Sequence, residues 1–215
     1  MNTAAEALLR LDDLLLDASR VRWPISERLR YLSDAQRQVV AFVPEAGPTS
    51  IATFTLVAGI ARQVAPVGTA KLLELLSVNG GDVRTITLEE MDFQRPGWMR
   101  ETANDRVQHW MPITASQREF LVYPRPKTPV QAEALLVTWP DALSSPASLL
   151  AVREDARSAL VHYAAAMCWM KDDTPGDREN AMVHMQLWVA AMTAAGASDT
   201  KALLAVFDNR RRSGA

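Results

Sequence analysis

Catalysis or metal binding in this chain would have to be assembled from few reactive side chains. Its 215 residues include three histidines, His109, His162 and His184, and one cysteine, Cys168. Zinc sites take three or four protein ligands, often with two on one helix face as in His-Glu-x-x-His. His162 and His184 lie in helix-like stretches, and neither has a histidine or acid at that spacing. Residues 162 and 168 fall on different sides of a helix, which separates the histidine from the thiol it would have to activate. Glu89-Glu90 and Asp172-Asp173 are paired acids. Adjacent helical residues diverge, so these read as solvated helix ends rather than acid/base dyads. Asn79-Gly80-Gly81-Asp82 could cradle an anion, but a hairpin turn explains it more simply. There is no Gly-x-Ser-x-Gly, phosphate loop or dinucleotide fingerprint. No catalytic, metal or cofactor-binding residue is assigned, and no cofactor is expected.

Composition narrows the remaining classes. A formal net charge of −2 gives no general polyanion-binding signature, and the one local bias is Arg210-Arg211-Arg212. A single cysteine excludes an internal disulfide framework and fits a reducing compartment. Glu6, Asp12, Asp13 and Asp17 interrupt the leucine-rich N-terminus, which is therefore not expected to be a signal peptide. No apolar run approaches the roughly 18 to 20 residues of a membrane span, so a chain made in the cytoplasm with no membrane partner is expected. Six tryptophans are many for this length. Trp98 and Trp110 lie in or near an irregular stretch and are candidate interface anchors.

The elements that must position these residues begin with two helices. Thr3-Ala4-Ala5-Glu6 has the form of a capping box, and Ala4, Leu8, Leu11, Leu15 and Ala18 behind it make a narrow seam. Trp23 to Pro44 follows, bounded by Pro24 and Pro44. Its apolar stripe is Ile25, Leu29, Leu32, Ala35, Val39 and Phe42, with Glu27, Arg28, Arg30, Asp34 and Arg37 on the polar face. The first seam is expected to pack against this helix, which would form the centre of a bundle.

After Glu45-Ala46-Gly47-Pro48 the period changes. Ile51–Val57 alternates, Ala58-Gly59 offers a turn, and Ile60–Val64 can return as a second strand. Leu72–Val78 is apolar on both faces, either a central strand or a buried helix, and the Asn-Gly that follows favours a strand and hairpin. Val83–Leu88, Val107–Met111, Glu119–Tyr123 and Val130–Trp139 complete a set of short strands, with one helical turn at Glu89–Asp92. No crossover helix is long enough for a parallel sheet, so an antiparallel sandwich or barrel-like region is expected.

Helical period returns at Ser148, with Leu149, Val152, Ala156, Leu160, Tyr163, Met167 and Met170 on one side. Thr174-Pro175-Gly176-Asp177 starts another helix, with Ala181, Met185, Trp188 and Met192 as its stripe and Gly196 as its stop. A last short helix reaches Phe207. The fold class is α+β: an α-helical bundle built from both termini, with an inserted antiparallel β region. The boundaries are 1–46, 47–147, 148–207 and a polar tail at 208–215. Ile25, Leu29, Leu32, Val39, Phe42, Leu160, Met167 and Trp188 form the expected bundle core.

Four features occur in order: Trp23 to Gln38, Leu56-Val57-Ala58-Gly59 with Gln63, Phe120-Leu121-Val122-Tyr123-Pro124, and the C-terminal helix pair. Together they resemble the head-to-tail adaptor (head completion, tail tubular protein A-like) proteins of short-tailed bacteriophages. Pro24 stands where that family would carry a polar cap. The resemblance implies a homo-oligomeric ring, usually a dodecamer, at the head–tail junction of the virion. The ring would dock beneath the portal protein, bind tail nozzle or fibre proteins, and pass DNA without sequence-specific binding. On this reading Asp208, Asn209, Arg210, Arg211 and Arg212 are a candidate portal-docking tail. The residues alone leave two other classes open: a small enzyme whose site has no recognised motif, and a nucleic-acid-binding module, which the charge balance disfavours.

Overall fold

A computed structural model describes residues 3–113, 115–171 and 174–213, with the backbone alone for 208–213. The chain divides into two compact units, Met1–Pro48 with Trp139–Ala215, and Thr49–Thr138.

The first unit is helical: α1 (Ala4–Leu15), α2 (Ile25–Phe42), α4 (Arg157–Trp169), α5 (Pro175–Ala194) and α6 (Thr200–Ser213), with α3 (Leu88–Gln94) in the other unit. Its centre is α4, not α2. α4 carries no Asp, Glu, Lys or Arg after Arg157, and nine of its thirteen residues are buried. A helix apolar all round must be surrounded, and α1, α2 and α5 all pack on it. The Ala164-Ala165-Ala166 run, fully buried, keeps its surface slim enough for that. α1 packs more extensively on α4 than on α2.

Of the expected core, Leu29, Leu32, Val39, Leu160, Met167 and Trp188 are buried. Ile25 and Phe42 are half-buried. Trp188 gathers Phe42, Tyr163 and Phe207 around it at ring-centroid distances of 6.3, 5.7 and 5.1 Å. Thr174 caps α5 by accepting the Asp177 N–H. At the other end the Gly196 and Ala197 amides close onto the carbonyls of Thr193 and Met192, with Gly196 at φ +112°.

Three local expectations are revised in this unit. The Thr3–Glu6 capping box does not form: the Ala4 and Ala5 amides donate instead to the carbonyls of Ser148 and Pro146, at 2.9 and 2.8 Å. Glu6 pairs with Arg157 at 3.0 Å. The helix expected from Ser148 begins at Arg157, because residues 148–153 are spent tying helices together. Leu149 bridges Thr3, the Ala151 N–H donates to Gln36 Oε1 at 2.6 Å, and the Arg153 N–H donates to the Ala46 carbonyl. Finally α6 continues to Ser213 rather than stopping at Phe207.

Among the described residues the second unit holds eight short strands in two sheets. The strands are β1 (Thr49–Leu56), β2 (Arg62–Val64), β3 (Thr69–Val78), β4 (Gly81–Asp82), β5 (Arg84–Thr85), β6 (His109–Pro112), β7 (Glu119–Tyr123) and β8 (Val130–Thr138). Sheet orders are β1-β8-β3-β4 and β2-β7-β6-β5, antiparallel apart from the β5–β6 pair. Neither sheet closes on itself into a barrel. Leu56, Leu75, Val130 and Ala134 of one sheet share a core with Trp110, Phe120 and Val122 of the other.

β1 and β2 do not form the expected hairpin. β1 pairs with β8 and β2 with β7, so the chain changes sheets between them. Buried Gln63 makes the crossing possible: its amide accepts from the Val57 N–H and donates to the carbonyls of Val57 and Ile60. The Asn79-Gly80 turn does form a hairpin, β3–β4, with both residues at positive φ. Glu90 closes a capping box with Thr87 at the start of α3 (Leu88–Gln94).

Leu32 lies wholly buried in α2. Leu32→Asp is expected to destabilise the helical unit by more than about 4 kcal/mol through an unpaired buried charge. Loss of helical circular dichroism would report it, and wild-type melting would contradict it.

Candidate interaction surfaces

The loop between α1 and α2 is cross-tied by buried and half-buried ion pairs. Arg28, assigned by periodicity to the polar face of α2, is 0% exposed. Its Nε donates to the Trp23 carbonyl at 2.7 Å, and its Nη2 donates to Asp17 Oδ2 and the Asp17 carbonyl at 2.8 and 3.0 Å. Its Nη1 donates to Asp12. Arg20 adds Nε and Nη2 bonds to the same Asp12 carboxylate, at 3.0 and 2.6 Å. Two guanidinium groups thus face two carboxylates, a balance that offsets much of the cost of burying them. The periodic pattern missed Arg28 because its partners come from α1 and the loop. An acid-rich stretch (Asp12, Asp13, Asp17) ahead of an otherwise apolar helix face was the available signal.

Trp23 extends the lock. Its indole N–H donates to the Cys168 carbonyl at 2.9 Å and its ring meets Trp169 edge-on at 4.9 Å. Arg22 lies over the Trp23 ring and pairs with Asp177 of α5 at 2.8 Å. The Cys168 thiol is pushed up to about 12, chiefly by burial, so it stays protonated at neutral pH. Burial would raise the Asp17 carboxyl, but the amides of Trp23 and Val21 and the Arg28 guanidinium outweigh it and hold it below its ordinary value.

This rigid loop displays apolar side chains to solvent. Leu16 closes α1 in the left-handed region (φ 51°) and is 91% exposed, and Val21 is 80% exposed. Leu9 of α1 is also exposed. On α5 the face opposite Trp188 carries exposed Met182, Val183 and Leu187, with no charged residue from Asn180 to Ser198. Exposed apolar side chains held on a fixed backbone are the usual material of protein interfaces.

The histidines take unexpected positions. His162 and His184, 22 residues apart, meet across α4 and α5 with Nδ1 atoms 3.2 Å apart. His109 stacks on Tyr123. Burial, then the charges of Arg84 and Arg95, lower its pKa. Among the described residues no group of three or more His, Cys, Asp or Glu side chains could hold a metal ion.

In the β unit Trp98 and Trp110, the candidate anchors, are each 3% exposed and belong to the core. Trp98 donates its indole N–H to Asp92 at 2.8 Å and packs edge-on against Tyr123; Trp110 packs against Phe120. Trp110 enters the core shared by the two sheets from β6, and Trp98 joins a second cluster with Met91, Met111 and Tyr123. Among the apolar groups the unit does expose are Phe93 of α3, Ile51 and Val67, and it carries a cavity of about 600 Å³. Ile60, Leu88, Met99 and Leu121 line the cavity, with Arg62 and Arg125 beside them. Glu89-Glu90 sits in the first turn of α3. Asp172-Asp173 lies outside the described residues. The backbone of Asp208, Asn209, Arg210, Arg211 and Arg212 forms the end of α6, and their side chains lie outside the description.

Compared with known protein families, residues 2–212 match the SU10 adaptor proteins. The chain belongs to that family. The match spans both units and identifies a phage structural adaptor, in agreement with the resemblance carried by Trp23 to Gln38 and the segments after it. No curated protein matches the chain.

Arg28→Ala is expected to cost about 3–5 kcal/mol in urea unfolding, because it leaves Asp12 and Asp17 without their buried partner. The Asp17 contribution has a definite sign. Its folded pKa lies below the unfolded value near 3.8, so its stabilisation is complete above that pH and is lost as pH falls through the folded value. Asp17→Asn should therefore flatten the acid limb of a stability–pH profile.

Proposed function

We propose that this protein is a head-to-tail adaptor that assembles as a ring of identical copies under the portal, extends the DNA channel and docks tail components. The observation that carries this reading is the family match, which runs from residue 2 to residue 212 and leaves neither unit out. The surface supports it in kind: Leu9, Leu16 and Val21 on one part of the helical unit, Met182, Val183 and Leu187 on another. A ring requires each copy to offer two different faces to its neighbours, whereas a two-fold dimer reuses one. The fixed loop held by Arg28 suits a part that positions other proteins, since little ordering entropy is lost when it binds.

A net charge of −2 suits a channel that DNA must leave freely. Among the described residues no helix is long and apolar enough to cross a membrane. Portal and tail proteins are the proposed partners, twelve copies the proposed number, and the head–tail junction the proposed location.

Mixed with its portal and viewed by negative stain, the protein should appear as a coaxial ring; a free monomer with no portal affinity would overturn the reading. Deleting Asp208–Ala215, beyond the buried Phe207, should reduce portal capture in a pull-down while lowering the melting temperature little. Unchanged capture would remove the tail from the docking surface.

A further inference from the structure

The His162–His184 contact lies one turn from Trp188 on the buried stripe of α5, and nothing in the adaptor reading uses it. Its geometry is specific. The two Nδ1 atoms lie 3.2 Å apart, and the rings are stacked at 27° with centroids 5.4 Å apart. His184 is 8% exposed and His162 half-buried. Two neutral imidazoles can meet Nδ1 to Nδ1 only as different tautomers, one donating an N–H and the other offering a lone pair. When both are protonated, two N–H groups and two positive charges face each other across that distance.

Among the described residues, burial and the partner ring are what act on the two imidazoles. One turn away along α4 the side chains are Ser158, Ala159, Ala165 and Ala166; along α5 they are Asn180, Ala181, Leu187 and Trp188. α6 contributes buried Leu203 and Phe207, and its Lys201 is exposed. Several charges of the neighbouring helices are paired elsewhere, Glu6 with Arg157, Asp12 and Asp17 with Arg28, Glu27 with Lys171 and Asp177 with Arg22, while Arg10, Asp13, Arg37, Arg178 and Glu179 are exposed and Asp34 is half-buried on α2.

We propose that the His162–His184 contact is an acid-sensitive latch on the α4–α5 hairpin, closed while the pair shares one Nδ1 proton and forced open when both rings are protonated. Burial lowers the pKa of both, and His184 is lowered further by the charge on His162. The sign follows: with folded values below the unfolded 6.5, the unfolded chain takes up protons first. The latch is at full strength above about pH 6.5 and weakens as pH falls from there through the folded values. Each histidine contributes up to a tenfold change in the closed-to-open ratio per pH unit in that window.

The test uses the full-length protein in the presence of a chelator. Hydrogen exchange of the α5 amides, corrected for intrinsic rates, should lose protection between pH 7.5 and pH 5. In the His162→Gln/His184→Gln variant, which can still hydrogen-bond but cannot titrate, protection should stay flat. An equal loss in that variant, or no loss in the wild type, overturns the latch. Imidazole nitrogen NMR of the unmodified protein at pH 7.5 gives an independent reading. One Nδ1–H and one Nε2–H tautomer are expected; two Nε2–H tautomers would show that the shared proton is absent and overturn the proposal even if the variant fails to fold.

Discussion

Burying Arg28 is the constraint on which the helical unit depends. A guanidinium taken out of water must find carboxylates with good geometry or the fold is lost. Here Asp12 comes from the last turn of α1 and Asp17 from the loop beyond it. Satisfying one side chain of α2 therefore sets where α1 ends and how the chain turns. Trp23, whose carbonyl receives the Arg28 Nε–H, then attaches the assembly to the end of α4 through Cys168. An apolar residue of similar size could have filled the space. It would not have specified the path of the loop, which is where the exposed Leu16 and Val21 sit.

The bundle around α4 follows a complementary logic. α4 is too uniformly apolar to stand at a surface, so α1, α2 and α5 must all lie on it. That arrangement draws in segments from both ends of the chain, and the connection at residues 139–156 acts as a clamp rather than a linker. The Leu143 N–H donates to Ser33, the Ala151 N–H to Gln36, and the Ser148 and Pro146 carbonyls cap α1. A unit cross-tied in this way resists local opening, which suits a protein that holds other virion components in place.

The β unit reaches order by a different route. Its strands are too short to be stable singly or as hairpins, and they gain stability by sharing one core between two sheets. Gln63 is the device that lets the chain leave one sheet and enter the other without stranding backbone groups. The indole of Trp110 is consumed in that core and that of Trp98 in a second cluster with Met91, Met111 and Tyr123, so neither faces solvent as Phe93 and the Ile60–Met99 cavity do.

The amino-acid sequence by itself determined the elements and their class. Periodicity places α2, α5 and most strands, because a stripe every three or four residues, or alternation by two, is a local property. It also carried the family likeness, since the segments from Trp23 to Pro124 stand in a recognisable order. The tertiary structure alone decided which elements meet. Arg28 looks solvent-facing until Asp12 and Asp17 are folded back onto it. The Thr3–Glu6 box is displaced by carbonyls from residues 146 and 148, and β1 finds β8 instead of its neighbour β2. His162 and His184 are unremarkable at a separation of 22 residues and become a coupled pair when α4 and α5 lie antiparallel. In each case the partner is distant in the chain, and the free energy that chooses it comes from burial and charge neutralisation in three dimensions, which no local pattern records.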